Sequence, residues 1–176
     1  MGWHELKATF GYRNSADQEV YLVKGANTYA APASIPKRYL VLHHTAGVDS
    51  RQYLLNNPGR VSSHYLVGDY DANRARRIYK YASEIRECTH TQGLGSIGGY
   101  ALGNINDVCV SIEVEGPPID PALRLYVAKL ARSIIDGWAA LGVSLTMLRH
   151  RDIDHRKPDP AMDWTKFCQE VYWPDV

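Results

Sequence analysis

Cysteine and long apolar runs are scarce in this sequence, and each shortage excludes a class of protein. The 176 residues include only three cysteines, Cys88, Cys109 and Cys168. An odd and widely spaced set without a CxxC pair argues against a disulfide framework and a cysteine-based metal knuckle, and it fits a reducing compartment. No stretch is long and apolar enough to span a bilayer, so we expect no membrane insertion.

The sequence also lacks a large excess of either positive or negative charge. Lysine and arginine number 20 against 19 aspartates and glutamates, which gives a net charge of +1 at pH 7. Proteins that bind nucleic acids or membranes through a broad electrostatic field carry a larger excess, so we expect neither partner. The first seven residues, MGWHELK, lack the apolar core of a signal peptide, which predicts synthesis in the cytoplasm without a secretion signal.

The apolar pattern predicts one α/β domain. Residues 39–43 have the continuous apolar character of a buried strand, and residues 108–115 alternate between apolar and polar. From 123 to 141 apolar residues recur at helical spacing, behind a predicted N-cap at Asp120 and a first-turn proline at Pro121. Strands and helices interleave, so the predicted fold is a single α/β domain with a mixed central sheet flanked by helices.

The remaining segments carry weaker patterns. Residues 1–37 are aromatic and end in a proline-rich stretch, so we interpret them as an N-terminal arm packed on the domain at 38–176. The other expected elements are a strand or helix over 18–23, a helix or helical loop over 49–56, a hairpin of 64–68 and 77–81, a glycine-rich loop over 93–103, a strand over 144–148 and a last helix over 163–171.

Two distant segments each place a histidine beside a possible metal ligand. His43 ends the first predicted strand, and His150 lies nine residues before Asp159. Two imidazoles and one carboxylate make the three-ligand set of a catalytic zinc site, in which the fourth position is left for water. The pattern therefore predicts a catalytic zinc centre.

Reasoning from the residues leaves alternatives for these ligands. His43 and His44 point to opposite faces of a regular strand, so only one of them can reach the metal. A lone histidine at a strand end is more often a hydrogen-bonded core residue than a metal ligand. The metal-ligand interpretation of His43 therefore depends on the second segment, which contains His150 and Asp159. Four carboxylates compete for the third position: Asp152, Asp154, Asp159 and Asp163. Prolines on both sides fix the backbone of Asp159, whereas Asp163 is better explained as a helix cap.

Further chemistry is suggested by three residues near these ligands in the predicted fold. Glu113 lies on the polar face of an otherwise apolar strand, where a carboxylate must be paired or functional. Beside a metal it would act as a general base. Lys157 is either a solvated charge or a stabiliser of an oxyanion. Cys109 shares the face of Glu113 but has no activating partner in the sequence, so we expect buried packing.

Four segments in a fixed order resemble a known family. They are HHTAG at 43–47, SSHYLV at 62–67, SIEVEG at 111–116, and HRDI at 150–153 followed by KPDP at 157–160. Together they resemble the type-2 N-acetylmuramoyl-L-alanine amidases. That family includes phage endolysins, bacterial muropeptide-recycling amidases and animal peptidoglycan recognition proteins. The resemblance covers about residues 38–173.

The resemblance implies roles for specific residues. These are His43, His150 and Asp159 as zinc ligands, Glu113 and Lys157 as catalytic residues, and His64 and His90 as substrate-binding residues. The sequence departs from the family pattern at Ala161, where a glycine is usual. It also has Ser63 where phage lysozyme members carry a tyrosine, which favours Glu113 as the general base.

The function implied by the resemblance is hydrolysis of the amide bond between N-acetylmuramic acid and L-alanine in peptidoglycan, at a zinc ion in a surface groove. Residues 30–34 and the glycine-rich loop favour a phage or prophage endolysin, which would act on the cell wall after release from the cytoplasm. The alternatives are a cytosolic muropeptide-recycling amidase and a non-catalytic peptidoglycan-binding recognition module. We expect a monomer whose partner is peptidoglycan or a muropeptide.

Overall fold

The computed structural model describes residues 8–23, 29–30, 36–45, 54, 62–69, 76–88, 90, 94–97, 100–116 and 119–174. The strands in these ranges are β1 (Ala8–Arg13), β2 (Glu19–Val23), β3 (Tyr29–Ala30), β4 (Tyr39–Thr45), β5 (Tyr65–Asp69), β6 (Arg76–Lys80), β7 (Arg86–Glu87), β8 (Leu94–Ile97), β9 (Tyr100–Asn104), β10 (Cys109–Glu115) and β11 (Thr146–Arg149). The helices are α1 (Ile105–Val108), α2 (Pro121–Ala139), α3 (His150–Ile153) and α4 (Trp164–Tyr172). None of these helices is long and apolar enough to cross a membrane.

Seven of the strands form one mixed sheet in the order β1-β2-β6-β5-β10-β4-β11. Near its middle, β10 pairs in parallel with both β4 and β5, and β11 pairs in parallel with β4. The strands β5 and β6 are antiparallel neighbours, and β2 joins β6 in parallel. This architecture confirms the predicted α/β class and the two strands of the predicted hairpin.

Both faces of the sheet are covered at its centre. Every residue of β10 is buried, including the ones that the sequence pattern assigns to a polar face. Leu123, Val127 and Leu130 of α2 pack in the main apolar cluster on one face, together with Val110 and Ile112 of β10. Burial of each such side chain contributes about 1.5–3 kcal/mol. The acidic side chains of β10 therefore point to the opposite face, and they are buried there as well.

The longest helix begins as its sequence predicts and ends shortly before a glycine. The Oδ1 atom of Asp120 accepts a hydrogen bond of 2.6 Å from the backbone N–H of Leu123, and Pro121 is the first helical residue. After the helix, Gly142 adopts a φ of +78°, which glycine tolerates without strain. Asp163 caps α4 in the same way as Asp120 caps α2, so its assignment as a cap is confirmed.

Residues before position 37 contribute directly to the central sheet. The antiparallel strands β1 and β2 lie at its outer edge, beside β6. The turn that joins them contacts α2, where Ser15 Oγ lies 2.9 Å from Ser133 Oγ and Gln18 Nε2 donates to the Tyr126 carbonyl at 2.7 Å. The segment 18–23, for which the sequence predicts either a strand or a helix, thus forms the strand β2. The predicted boundary between residues 37 and 38 stays a prediction.

One sequence prediction is wrong and another falls largely outside the described residues. The glycine-rich stretch predicted as a loop over 93–103 contains β8 and β9, which pair antiparallel. Glycine indicated a loop through its conformational freedom, but strand pairing uses backbone groups that glycine also has. The helix predicted over 49–56 lies outside the described residues except for Leu54, which is helical and buried.

Candidate active site

Neighbouring strands bring the first site residues to one edge of the sheet. The parallel register of β10 and β4 places Glu113 beside His43, near the carboxyl end of each strand. On the other side of β4, β11 ends at Arg149, and His150 follows as the first residue of α3. Open α/β sheets bind their ligands at the carboxyl ends of their strands, so this edge is a favourable place for a site.

Three electron-donor atoms converge at this edge. His150 Nδ1 lies 3.0 Å from His43 Nδ1 and 3.0 Å from Asp159 Oδ2, and the latter two atoms are 3.9 Å apart. A tetrahedral zinc ion with bonds of about 2.0–2.1 Å holds its ligand atoms about 3.3 Å apart, and the observed separations bracket that value. An imidazole nitrogen carries at most one hydrogen, so His150 Nδ1 cannot donate a hydrogen bond to both His43 Nδ1 and Asp159 Oδ2. The donor set therefore fits a zinc ion.

Asp159 is the carboxylate that reaches the histidines, and its competitors are engaged elsewhere. Asp152 accepts hydrogen bonds from the backbone N–H of Arg149 at 2.8 Å and from its guanidinium at 2.7 Å. Asp154 pairs with Arg156 at 2.8 Å. The fourth carboxylate is the cap of α4. The geometry thus agrees with the sequence, in which the flanking prolines favour Asp159.

His44 points away from the three donor atoms, as strand alternation predicts. Its Nε2 atom donates a hydrogen bond of 2.8 Å to the carbonyl of Gly116, just beyond the end of β10. Its backbone N–H donates to Asp159 Oδ2 at 3.2 Å. His44 therefore joins the ends of β4 and β10 and holds the site carboxylate through its backbone.

Glu113 borders the same cluster from β10. Its Oε1 atom lies 4.0 Å from His43 Nδ1, and only 8% of the residue is exposed. Burial, and secondarily the charge of Asp159, raise the pKa of Glu113 to about 8, whereas the charge of Lys157 lowers it. Lys157 itself is exposed, on the stretch between α3 and α4. A carboxyl group with a pKa near neutrality can both accept and return a proton.

His90 contacts His43 at the ring nitrogen opposite the one that meets His150. His90 Nδ1 is 2.7 Å from His43 Nε2, and His90 Nε2 is 2.6 Å from Cys109 Sγ. Burial lowers the pKa of both imidazoles, so both are neutral. Sequence reasoning missed these contacts and gave Cys109 no polar partner, because nothing in the spacing of 90 and 109 indicates that the two side chains meet.

His64 is fully buried, and both of its ring nitrogens are hydrogen-bonded within the protein. Its Nδ1 atom accepts a 3.0 Å hydrogen bond from the backbone N–H of Ser111, and its Nε2 donates to the carbonyl of Arg86 at 2.8 Å. Burial lowers the pKa of His64 to about 3. The ring links β10 to β7. The substrate contact expected for His64 stays a prediction, as does the one expected for His90.

Two cavities of about 460 and 430 Å³ open near the turn between β1 and β2, lined in part by Arg13 and Tyr126 respectively. None of the donor residues described above lines either cavity. The converging donor atoms indicate a site better than cavity size does, because catalysis requires specific groups in a fixed geometry. The surface groove predicted at the metal site stays a prediction.

The sequence model of the Amidase_2 family, described as N-acetylmuramoyl-L-alanine amidase, matches residues 33–162. The chain belongs to this family. The matched stretch contains every residue to which the sequence analysis assigns a metal-binding, catalytic or substrate-binding role. Membership in this amidase family makes the protein a hydrolase of an amide bond. A comparison with curated protein sequences gives no significant match.

Solved structures of other amidases share the fold. A derivative of AmpD superposes with a TM-score of 0.63 at 22% identity, over 85% of this chain and 93% of AmpD. AmiD from E. coli, in complex with the substrate anhydro-N-acetylmuramic acid-L-Ala-D-gamma-Glu-L-Lys, gives 0.61 at 28% identity, over 80% of this chain and 60% of AmiD. The endolysin LysCS from Clostridium intestinale gives 0.55 at 17% identity, over 86% of this chain and 94% of LysCS. The AmpD and LysCS similarities concern the fold alone.

Proposed function

We propose that this amidase uses a zinc ion to hydrolyse the bond between the lactyl group of N-acetylmuramic acid and L-alanine in peptidoglycan. The observation that carries the proposal is the convergence of His43 Nδ1, His150 Nδ1 and Asp159 Oδ2, with neighbouring separations of 3.0 Å, beside a buried glutamate. Family membership supports the reaction class.

The residues around the three ligands supply the remaining chemistry. When bound, a zinc ion would act as a Lewis acid that polarises the scissile carbonyl and lowers the pKa of water. Glu113, with its pKa raised to about 8, would take a proton from the attacking water and return it to the departing alanine nitrogen. Lys157 would place its positive charge near the oxyanion that develops on the scissile carbonyl oxygen.

The proposed biological setting is a phage or prophage endolysin that degrades the intact wall. Residues 30–34 of the sequence favour this setting, whereas the similarity to the endolysin LysCS concerns the fold alone and does not distinguish it. The second candidate is a muropeptide-recycling amidase, which is supported by the 28% identity to AmiD and by the anhydro-muropeptide named as the AmiD substrate. The glycine-rich stretch over 93–103 does not favour the first setting, because it contains paired strands.

Product analysis on two substrates tests the reaction and the setting together. The zinc-loaded protein is incubated with intact sacculi and with soluble anhydro-muropeptides, and released peptides are analysed for a free N-terminal L-alanine. Faster release from sacculi supports an endolysin, and faster release from soluble muropeptides supports recycling. Retention on sacculi without any released peptide would refute the enzymatic proposal in favour of a recognition module.

A further inference from the structure

A line of hydrogen-bonded side chains runs from the candidate metal centre into the interior. It starts at His43, passes through His90 at 2.7 Å and ends at Cys109, whose Sγ is 2.6 Å from His90 Nε2. All three residues are buried, with exposed fractions of 2%, 6% and 0%. We call this line the His43–His90–Cys109 chain. Its members contact one another rather than solvent, so its hydrogen-bond pattern is set inside the protein.

Only one direction of hydrogen bonding along this chain is compatible with a metal on His43. A neutral imidazole carries one hydrogen, on either of its two nitrogens. His43 Nδ1 faces the cluster and must be bare to bind a cation, so the hydrogen is on Nε2 and is donated to His90 Nδ1. The hydrogen of His90 is then on Nε2 and is donated to Cys109 Sγ. The reverse direction would place a hydrogen on His43 Nδ1, where it would face the metal.

The surrounding backbone holds both ends of the chain. The backbone N–H of His90 donates to the side-chain oxygen of Asn106 at 3.1 Å. Asn106 belongs to α1, and Cys109 is the first residue of β10 directly after that helix. One continuous segment therefore fixes the backbone of His90 and also presents the thiol to its ring. On its other side, β10 fixes β4 through their parallel register, and β4 carries His43.

We infer that His90 is a positioning residue for the metal ligand His43, and that Cys109 is the acceptor that completes the chain. The inference rests on the proposed zinc-dependent function and adds to it a supporting arrangement behind one ligand. Metal-binding histidines generally donate their second N–H to a partner, and loss of that partner lowers metal affinity by about 10–100-fold. Here the partner is another histidine, which is itself oriented by a buried thiol.

Two pairs of variants separate positioning from mere packing. His90→Leu fills most of the space without an acceptor, and His90→Asn restores an acceptor oxygen near the position of Nδ1. Cys109→Ala removes the thiol, and Cys109→Ser replaces it with a hydroxyl that accepts a hydrogen bond. Cys88→Ala is the matched control, because it removes another buried thiol that does not belong to the chain.

The zinc dissociation constant of each variant is measured by competition with a chromophoric chelator. We expect a roughly 10–100-fold weakening for His90→Leu, a smaller weakening for Cys109→Ala, and recovery towards the wild-type value for His90→Asn and Cys109→Ser. Cys88→Ala should match the wild type. Thermal unfolding of the chelated proteins identifies any variant that fails to fold, in which case the cysteine pair decides the test.

The tautomer of His90 gives a second readout that a packing role would not change. In the zinc-loaded wild type, ¹⁵N NMR of the imidazoles should place the hydrogen of His90 on Nε2. A hydrogen on Nδ1, or a zinc affinity of His90→Leu within about threefold of the wild type, would overturn the inference while leaving the amidase proposal intact. A wild-type protein that binds no zinc would refute both.

Discussion

At the scale of single residues, the proposed site assigns metal binding and proton transfer to different residues. His43, His150 and Asp159 supply the converging donor atoms, while the Oε1 atom of Glu113 lies 4.0 Å from one of them, His43 Nδ1. Burial raises the pKa of Glu113 to about 8, which keeps the group close to the range where it exchanges protons at neutral pH. Changes at these two kinds of residue should therefore affect different measurements.

Glu113→Gln should keep zinc affinity and lose most turnover. The amide has nearly the same shape as the carboxyl group but cannot accept the proton of water, so we expect kcat to fall by about 10²–10⁴-fold. Peptide release from peptidoglycan measures turnover, and chelator competition measures zinc binding. Asp136→Asn, at an exposed carboxylate on α2, serves as the control. Near wild-type turnover in Glu113→Gln would exclude this residue as the general base.

Asp159→Asn should lose zinc affinity, whereas Asp154→Asn should not. The two aspartates lie in the same stretch between α3 and α4, but only Asp159 reaches the histidines, and Asp154 pairs with Arg156. Isothermal titration with zinc compares the two variants with the wild type. Equal loss in both variants, or loss in Asp154→Asn alone, would show that the ligand is assigned to the wrong carboxylate.

The sequence predicted which residues converge at the candidate metal site better than it predicted the contacts of the other histidines. Strand alternation separated His43 from His44, and flanking prolines favoured Asp159 among four carboxylates. His64 and His90 could not be interpreted in this way, because their roles depend on which buried atoms meet them. A sequence carries no local signal for the contact between a histidine and a thiol nineteen residues away.

At the scale of elements, the helix caps were predicted accurately, whereas the glycine-rich stretch over 93–103 was not. The aspartate caps and the proline at the start of α2 act within one turn, so local sequence is sufficient to predict them. The glycine-rich hairpin of β8 and β9 depends instead on pairing between two segments. Glycine content therefore indicated a flexible backbone but did not indicate that this backbone forms paired strands.

Asp120→Ala should destabilise the protein by about 1 kcal/mol through loss of the cap of α2. Asp120→Asn should cost less, because asparagine also accepts a hydrogen bond from the first turn. The midpoint and slope of urea unfolding give the free energy of unfolding of both variants. The exposed pair of Asp120 with Arg76 is removed in both, so it provides an internal control. Equal destabilisation would indicate that charge, and not capping, is responsible.

At the scale of the whole molecule, residues 8–23 belong to the same sheet as the site strands. The sequence suggested an arm packed on the domain, because aromatic residues without a clear period indicate packing but not strand pairing. The position of β1 and β2 in the sheet depends on the free side of β6, with which β2 pairs. That free side exists only once β5 and β6 have paired, so it is a property of the assembled fold. Sequence patterns identify single strands more reliably than their neighbours.

Stability of the chelated protein should fall as the pH decreases below about 6.5. Burial lowers the pKa values of His43, His64 and His90, so the unfolded state binds protons in this range while the folded state does not. Each histidine contributes a slope of about 1.4 kcal/mol per pH unit. Glu113 acts in the opposite direction between its ordinary pKa and about 8, but it is one group against three.

Urea unfolding of the chelated protein at a series of pH values between 5 and 7.5 checks this expectation. His64→Asn should have a shallower dependence on pH than the wild type, because one of the three buried imidazoles is removed at a distance from the donor cluster. A stability that is constant over this range, or that increases on acidification, would contradict the neutral burial of these rings.

The most direct test of the central claim is the metal dependence of amide cleavage. The protein is stripped with a chelator, dialysed and assayed on purified peptidoglycan for peptides with a new N-terminal L-alanine, before and after addition of one equivalent of zinc. We expect no release from the stripped protein and full release after the single equivalent. Undiminished release without metal, or none with zinc bound, would contradict the assignment of a zinc amidase.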